Sequence, residues 1–274
     1  MQLHYFPSPA AANTLSTDEL RDAFLISGLF RAGEVNAHYT DLDRMIVGAA
    51  VPAQSPLELP HAKELGTSFF LERREIGILN VGAPGTIRVG SERHEIGTLD
   101  CLYVGLGERE VAFENGPKGQ SAFYFISTPA HAKHPTTRAT REQAKSDPVG
   151  DPAKANRRRI AKYIHPEGIR SCQLVMGFTE FEAGSVWNTM PPHEHSRRTE
   201  IYLYFDLGDD IAIHLMGRPK TTRHLIVRDR DVVLSPAWSI HCGVGTGNYR
   251  FVWAMGGDNQ AFSDMDGVPL SELR

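Results

Sequence analysis

The sequence has few cysteines, no long apolar run and no large excess of charge of one sign. Its 274 residues include three cysteines, Cys101, Cys172 and Cys242, and none belongs to a C-x-x-C pair. This small, odd number predicts a reducing compartment rather than a disulfide framework. No stretch approaches the roughly 20 apolar residues of a membrane span, and no basic region precedes an apolar run at the N-terminus. We therefore expect a cytoplasmic protein with no membrane partner.

The charge balance argues against nucleic acid and anionic membranes as partners. The formal net charge is -4 at pH 7 and the sequence pI is about 6.3. Such a chain lacks the basic surface that binds nucleic acid or an anionic membrane. The length suits one large domain or two modest ones, with enough residues for a core. We therefore expect no nucleic-acid partner.

Short β-prone segments separated by glycines make up most of the chain. Six of them lie between residues 69 and 126, and others resume after residue 158. Many short strands with regular turns are typical of a sandwich or small barrel. We predict an all-β fold with a few short helices. One helix is predicted from Ser16 to about Leu25, because Ser16 and Glu19 have the spacing of a capping box.

One short stretch holds most of the candidate metal ligands. His193 and His195 stand two residues apart, and Glu200 follows five residues after His195. Residues i and i+2 of a strand point to the same face, so the two imidazoles converge. The short link at 196–199 predicts a hairpin that folds Glu200 back beside them. Two imidazoles, a carboxylate and the later His241 suit a divalent transition metal.

A polar, proline-punctuated stretch separates two groups of β-prone segments. Residues 128–157 lack apolar periodicity and are typical of a connector. The two groups look like weak copies of each other. Glu110 of the first copy stands where the second copy has His241, so the first copy is predicted to lack a metal. The predicted domains are an N-terminal arm with a metal-free β domain at 1–127, the connector at 128–157, and a metal-binding β domain at 158–274.

The spacing of the candidate ligands resembles that of the cupin family. The matching residues are Gly184, His193, His195, Glu200, Gly208, Pro236 and His241. Two gaps are longer than usual in that family and Trp238 replaces a glycine, but none of these three departures removes a ligand. Chance histidine pairs are common, and the alternative is two surface histidines with an unrelated buried His241. The resemblance implies a two-cupin (bicupin) chain of two β-barrel or sandwich units.

Longer stretches are similar to the bacterial 5-keto-4-deoxyuronate isomerase family, also called 4-deoxy-L-threo-5-hexosulose-uronate ketol-isomerases. They include Asp43-Arg-Met-Ile-Val-Gly48, Ser68-Phe-Phe-Leu-Glu-Arg-Arg-Glu75, Trp187-Asn-Thr-Met-Pro191, Thr222-Arg-His224 and Ser235-Pro-Ala-Trp-Ser-Ile-His241. The similarity covers nearly the full length. It implies one Zn²⁺ per subunit, bound by His193, His195, Glu200 and His241. It also implies a homohexamer with a place in pectin or uronate degradation.

The activity implied by this resemblance is an aldose–ketose isomerisation of a small anionic sugar acid. It converts 5-dehydro-4-deoxy-D-glucuronate to 3-deoxy-D-glycero-2,5-hexodiulosonate. A proton leaves the hydroxyl-bearing carbon beside the aldehyde and returns to the adjacent carbon. We predict that Tyr202 or a metal-bound hydroxide relays protons. Arg198, Arg223 or His224 is predicted to bind the substrate carboxylate.

Two other functions stay open at this point. Three histidines and a carboxylate also hold iron in cupins that react with dioxygen, and metal identity and oxygen uptake distinguish that activity. A cupin that binds a sugar acid as a sensor or storage protein is the other alternative. Such a protein would bind its ligand without turnover.

Overall fold

Aromatic and β-branched residues, interrupted by glycine turns, produce short strands along most of the chain. The computed structural model of the protein describes residues 1–61 and 63–274. In chain order its first strands are β1 (Gln2–His4), β2 (Leu25–Ile26), β3 (Glu34–Thr40), β4 (Ile46–Val51), β5 (Leu57–Glu58), β6 (Arg74–Asn80), β7 (Gly85–Val89), β8 (Glu92–Ile96), β9 (Cys101–Val104), β10 (Val111–Asn115), β11 (Phe123–Pro129) and β12 (Thr137–Ala139). The later strands are β13 (Arg158–Ile164), β14 (Val175–Phe181), β15 (Trp187–Glu194), β16 (Arg198–Phe205), β17 (Ala212–Arg218), β18 (Thr221–Val227), β19 (Val232–Ser235), β20 (His241–Gly245), β21 (Arg250–Gly257) and β22 (Asp266–Gly267). The predicted all-β class is confirmed.

Helices are few and short in the described part of the chain. They are α1 (Pro9–Ala12) and α2 (Thr17–Phe24), with 3₁₀ turns at Lys63–Leu65, Pro152–Lys154 and Leu270–Glu272. The predicted capping box begins α2. The Ser16 hydroxyl oxygen accepts from the Glu19 backbone N–H at 3.3 Å, and the Glu19 carboxylate accepts from the Ser16 N–H at 2.8 Å. Both bonds satisfy donors that the first helical turn leaves unpaired.

The chain forms two compact units, each assembled from separated segments. The first comprises Met1–His4, Leu29–Ala144 and Lys162–Met176, and the second comprises Tyr5–Gly28, Lys145–Ala161 and Gly177–Arg274. Residues 5–28 therefore belong to the unit that contains the candidate ligands. The domain boundaries expected from the sequence divide the chain into continuous segments at 1–127, 128–157 and 158–274, and they stay a prediction.

The first unit is built from two sheets with an aromatic core between them. One sheet has the order β1-β3-β4-β11-β6-β9-β12, and the other has β5-β10-β7-β8. Phe113 of the smaller sheet packs against Phe123 and Phe125 of the larger sheet, with ring centroids 5.5 and 6.4 Å apart. All three rings are buried. Burying each such side chain contributes about 1.5–3 kcal/mol, so these contacts hold the two sheets of the unit together.

The second unit also has two sheets. Their orders are β13-β14-β21-β16-β19-β2 and β18-β17-β20-β15-β22. Consecutive strands β15 and β16 belong to different sheets, so the hairpin predicted at 196–199 is wrong. β15 pairs with β20 and β22, whereas β16 pairs with β19 and β21, and neither has a free edge for the other. The link is instead a corner between the sheets, closed by a hydrogen bond from the Arg198 N–H to the His195 carbonyl at 3.1 Å.

Two expectations from the composition concern cysteines and membrane spans. The three cysteines are free thiols, of which Cys101 and Cys242 are buried and Cys172 is half-buried. Burial raises the pKa of Cys242 to about 12, which keeps this group a protonated thiol beside His241. Of the helices within residues 1–61 and 63–274, none combines the length and apolar character that a membrane crossing requires.

Glu75 of β6 is a buried carboxylate whose partners all lie in the first unit. Its oxygens accept hydrogen bonds from the backbone N–H groups of residues 172, 173 and 174, at 2.7, 3.0 and 3.1 Å. They also accept from the Tyr103 and Thr128 hydroxyls at 2.8 and 3.0 Å. Five donors thus converge on one buried charge, which anchors the segment preceding β14 to β6.

Replacing Glu75 by alanine leaves these five donors buried without their acceptor. We expect Glu75→Ala to lower the free energy of unfolding by about 3–5 kcal/mol, measured by urea denaturation. Glu110→Ala is the control, because that side chain is 71% exposed and its loss should change stability by less than about 0.5 kcal/mol. Equal stabilities of the two variants would contradict this role for Glu75.

Candidate active site

The four predicted ligands are brought together by strands of both sheets in the second unit. His193 in β15 pairs in register with His241, the first residue of β20. His195 follows β15 by one residue, and Glu200 lies in β16 of the other sheet. One donor atom from each of the four lies within 4.8 Å of the other three. The corner between β15 and β16, and not a hairpin, therefore brings Glu200 beside the histidines.

The donor atoms approach one another as closely as groups that share one ion. His193 Nε2 and His241 Nε2 are 2.9 Å apart. Glu200 Oε2 lies 3.0 Å from His241 Nε2 and 3.1 Å from His195 Nε2. Three imidazoles and one carboxylate are a donor set suited to Zn²⁺, iron and other divalent transition metals. The residues present thus fit a metal ion, whose identity the donor set does not select.

The opposite ring nitrogens of two histidines have acceptors that orient them. His195 Nδ1 lies 2.9 Å from the backbone carbonyl of Arg198. His241 Nδ1 lies 3.4 Å from the Ser235 hydroxyl oxygen. A histidine that donates from Nδ1 presents the Nε2 lone pair, and metal-binding histidines are commonly held in this way. Both rings are therefore arranged to bind a cation through Nε2.

Burial and neighbouring charges set the protonation of the cluster. Burial lowers the pKa of His193 to about 3, with His241 acting in the same direction. Burial alone would raise the pKa of Glu200, but His241 and His195 outweigh it and hold this pKa well below its usual range. Burial by itself would lower the pKa of His195, but the hydrogen bond to Glu200, the charge of Glu200 and the hydrogen bond to the Arg198 carbonyl together raise it. A proton on His195 therefore competes with a metal cation for the same carboxylate.

A cavity of about 690 Å³ opens beside the cluster. It has a polar end and an apolar wall. The polar end includes His193, His195, Glu200, Asn188, Thr189 and Tyr202. The apolar wall includes Met190, Trp253, Met255, Phe262, Val268 and Pro269. Such a site holds a small molecule against a few convergent polar groups while apolar side chains limit its contact with water.

Tyr202 lies at the polar end of this cavity. The residue is buried, and its ring meets that of His241 edge-on at 5.6 Å. Burial raises the pKa of Tyr202 well above its usual range, and the charge of Glu200 acts in the same direction. The phenol therefore keeps its proton, and its hydroxyl hydrogen-bonds the side chains of Glu200 and Thr189, which also line the cavity. Its predicted part in proton transfer stays a prediction.

Arg198 is the one of the three predicted carboxylate-binding residues that lines the cavity, among the residues described. The side chain is buried, and its terminal nitrogens donate to the carbonyls of Ala261 and Asp264 at 2.8 and 2.6 Å. Its guanidinium is thus committed mainly to holding the C-terminal segment. Binding of substrate by Arg198 stays a prediction.

Arg223 and His224 lie on β18, outside the part of the cavity lining that the structure describes. Arg223 donates to the carbonyls of Ala12 and Leu15 at 3.0 and 2.7 Å. It therefore fastens the segment after α1 to β18. His224 is exposed. These positions do not support substrate binding, and their predicted role stays a prediction without a structural argument.

Arg197 fastens the C-terminal segment across one side of the cavity. Its Nε donates to the Asp264 carboxylate at 2.9 Å, and its Nη2 donates to Asp264 and Asp266 at 2.6 and 2.8 Å. β22 then pairs with β15, with Gly267 opposite His193. The segment carries Phe262 and other lining residues, so this ion-pair group shapes the apolar wall.

One cavity residue was not predicted from the sequence. Arg158 begins β13 and lines the cavity. Its neighbours Arg157 and Arg159 form ion pairs with Glu182 at 3.0 and 3.5 Å. The run of three arginines at 157–159, where β13 begins, could have indicated this residue. Alternation along a strand turns the middle side chain to the face opposite its two neighbours.

A two-sheet β unit with three imidazoles and a carboxylate facing its interior defines a protein of the cupin class. The solved structures that resemble this one agree on the fold. An IolB-like protein from Salmonella typhimurium LT2 superposes with a TM-score of 0.70 at 14% identity, covering 89% of this chain and 96% of that one. A vicilin from hazelnut, Corylus avellana, gives 0.52 at 13% identity, covering 78% and 74%.

Sequence comparison narrows the class to a family. A sequence model of the KduI/IolB family matches residues 27–267, and the chain belongs to this family. A relative from Opitutus terrae, named 4-deoxy-L-threo-5-hexosulose-uronate ketol-isomerase, is 66% identical over 275 residues, with all of both chains covered. A relative of the same name from Halalkalibacterium halodurans is 47% identical over 276 residues, again with both chains fully covered.

Removing one ligand tests whether the cluster binds a metal. We expect wild-type protein to retain about one metal ion per chain after dialysis. We expect His241→Ala to bind zinc at least about 100-fold more weakly than wild type, since it loses one of the four metal ligands of a buried site. Elemental analysis and competition with a chelating dye measure both quantities. His131→Ala, which removes an exposed histidine, should leave metal content unchanged, and equal loss in both variants would contradict a specific site.

Proposed function

We propose that this chain is a ketol-isomerase that converts 4-deoxy-L-threo-5-hexosulose uronate to 3-deoxy-D-glycero-2,5-hexodiulosonate. The observation that carries the proposal is the 66% identity, over the full length of both chains, to a relative of that name. The site supports it, because the four donor atoms cluster at one end of a cavity large enough for a six-carbon acid. The isomerisation moves a proton between adjacent carbons and needs no electron-carrying cofactor.

We further propose that the enzyme depends on a metal, and that His193, His195, Glu200 and His241 hold one Zn²⁺ per chain. A bound Zn²⁺ would act as a Lewis acid toward a substrate oxygen and stabilise the negative charge that develops there. The protein's own contribution is to hold three imidazoles and one carboxylate in place before the metal arrives. The acceptors at Arg198 and Ser235 keep two of the rings in that orientation.

Tyr202 of the polar end acts on the proton, and the apolar wall limits the access of water. Tyr202 keeps its hydroxyl proton at pH 7 and can donate to a substrate oxygen as charge grows on it. Trp253, Met255 and Phe262 limit access of water to the reacting carbons, which protects a reactive carbonyl substrate from side reactions. The site thus combines a proton donor with a partly dry cavity.

Turnover by metal-stripped protein tests this function. We expect stripped protein to stay folded by circular dichroism, to lose isomerase activity on 4-deoxy-L-threo-5-hexosulose uronate, and to recover it with Zn²⁺. Folded, stripped protein with full activity would contradict the metal-dependent mechanism. If neither form turns the substrate over, the isomerase proposal fails. Oxygen uptake with Fe²⁺ would then support a dioxygenase, whereas binding without turnover would support a sugar-acid-binding protein.

The proposed role of Tyr202 has its own test. We expect Tyr202→Phe to lower kcat about 100-fold or more, within the range of general acid–base contributions, while metal content stays at the wild-type level. Tyr204→Phe is the matched control, because the Tyr204 hydroxyl bonds the buried His214 Nδ1 at 2.7 Å and does not line the described cavity. It should cost about 1 kcal/mol of stability without lowering kcat. A fully active Tyr202→Phe enzyme would exclude an essential phenolic proton.

We also propose a cytoplasmic homohexamer that acts in pectin or uronate degradation. The resemblance of the sequence supports the assembly, and three free thiols support a reducing compartment. Light scattering should give six times the chain mass of 30.4 kDa. A monomeric mass would contradict the assembly, and recovery of the protein outside the cytoplasmic fraction would contradict the location.

A further inference from the structure

Arg158 is turned toward the cavity by the alternation of β13. Arg157 and Arg159 point to the opposite face and are neutralised by Glu182. Arg158 and Ile160 share the other face, and both line the cavity. The middle arginine of the run is thereby separated from the carboxylate that serves its two neighbours.

No acidic side chain in residues 1–61 and 63–274 forms an ion pair with Arg158. Its Nη1 donates to the backbone carbonyl of Asn156 at 2.8 Å. Burial lowers its pKa, with Tyr249 and Tyr202 acting in the opposite direction. A half-buried guanidinium without a counter-charge is costly to maintain. An anion that enters the cavity would supply that counter-charge and accept hydrogen bonds from the remaining N–H groups of Arg158.

The second cation of the cavity is arranged differently. Arg198 has both terminal nitrogens on backbone carbonyls, and the nearby charge of Glu200 acts on it. Arg197 and Arg250 are each paired with two carboxylates. Arg198 also has a buried Nε without a hydrogen-bond partner, but the carboxylates of Glu200 and Asp264 lie near enough to act on its charge. Among the residues described, Arg158 is the lining arginine on which no carboxylate acts, and a planar guanidinium matches a carboxylate with two parallel hydrogen bonds.

Arg158 and the metal-ligand cluster bound the same cavity. Tyr202 lines this cavity as well. The substrate of the proposed function carries its aldehyde and its carboxylate at opposite ends of a six-carbon chain. We propose that Arg158 binds the substrate carboxylate and thereby makes the site selective for acids over neutral sugars. This inference rests on the proposed isomerase function.

A comparison of a charged substrate with its uncharged ester tests the inference. The two substrates are 4-deoxy-L-threo-5-hexosulose uronate and its neutral methyl ester. We expect Arg158→Gln to lower kcat/KM for the acid roughly 100-fold, mainly through KM, and to change that for the ester less than about 3-fold. Arg158→Lys keeps the positive charge but loses the two parallel donors of the guanidinium. Its kcat/KM for the acid should lie between those of wild type and Arg158→Gln.

Arg157→Gln is the matched control, since it removes the arginine immediately before β13, whose side chain pairs with Glu182. It should keep the wild-type preference for the acid, with zinc content and circular dichroism unchanged in all variants. An Arg158→Gln enzyme that retains the wild-type ratio of acid to ester turnover would overturn the inference.

A binding measurement separates this inference from the proposed function. D-Galactonate is a six-carbon acid without an aldehyde, and calorimetry on the zinc-loaded full chain measures its affinity. We expect Arg158→Gln to bind it at least about 30-fold more weakly than wild type and Arg157→Gln to bind it equally well. If wild type fails to isomerise the uronate but shows this difference, the isomerase proposal fails and acid binding by Arg158 stands. Equal affinity in wild type and Arg158→Gln would overturn acid binding by Arg158.

Discussion

The corner between β15 and β16 is the constraint on which the site depends. The two strands are fully paired in different sheets, so the chain must cross from one sheet to the other between Glu194 and Arg198. That crossing places His193 on one sheet, His195 in the turn and Glu200 on the facing sheet. His241 joins them because β20 is the partner of β15. A change in the length of this turn would separate the donor atoms even if every ligand were kept.

The same corner also organises the charges around the site. Arg197 and Arg198 stand in it, and both reach the C-terminal segment, one through carboxylates and the other through carbonyls. Position 198 also offers its own carbonyl to His195. The turn that brings the ligands together therefore also fastens the wall of the cavity and orients one ring. Metal binding and cavity shape are coupled through these two consecutive arginines.

Strand alternation explains why neighbouring arginines have different surroundings. Arg157, immediately before β13, and Arg159 share the Glu182 carboxylate, while Arg158 between them faces the cavity. In the first unit, Glu75 shows the contrasting case of a buried charge whose five donors are all supplied by the protein. Five protein donors satisfy the Glu75 carboxylate within the core. The Arg158 guanidinium faces an open cavity, where it is free to bind a ligand. The two residues illustrate structural and ligand-facing uses of buried charge.

Much of the local structure followed from the sequence by itself. Glycine-punctuated β-prone segments determined the all-β class, and Ser16 with Glu19 determined the start of α2, because both are interactions between near neighbours. The ligand types at 193, 195, 200 and 241 determined which kind of ion the cluster suits. Only the tertiary structure decided that β15 and β16 lie in different sheets, since a short link is compatible with either a hairpin or a corner. It also decided that Arg223 fastens the segment after α1 while Arg158 faces the cavity, because those positions depend on strand partners far away in the chain.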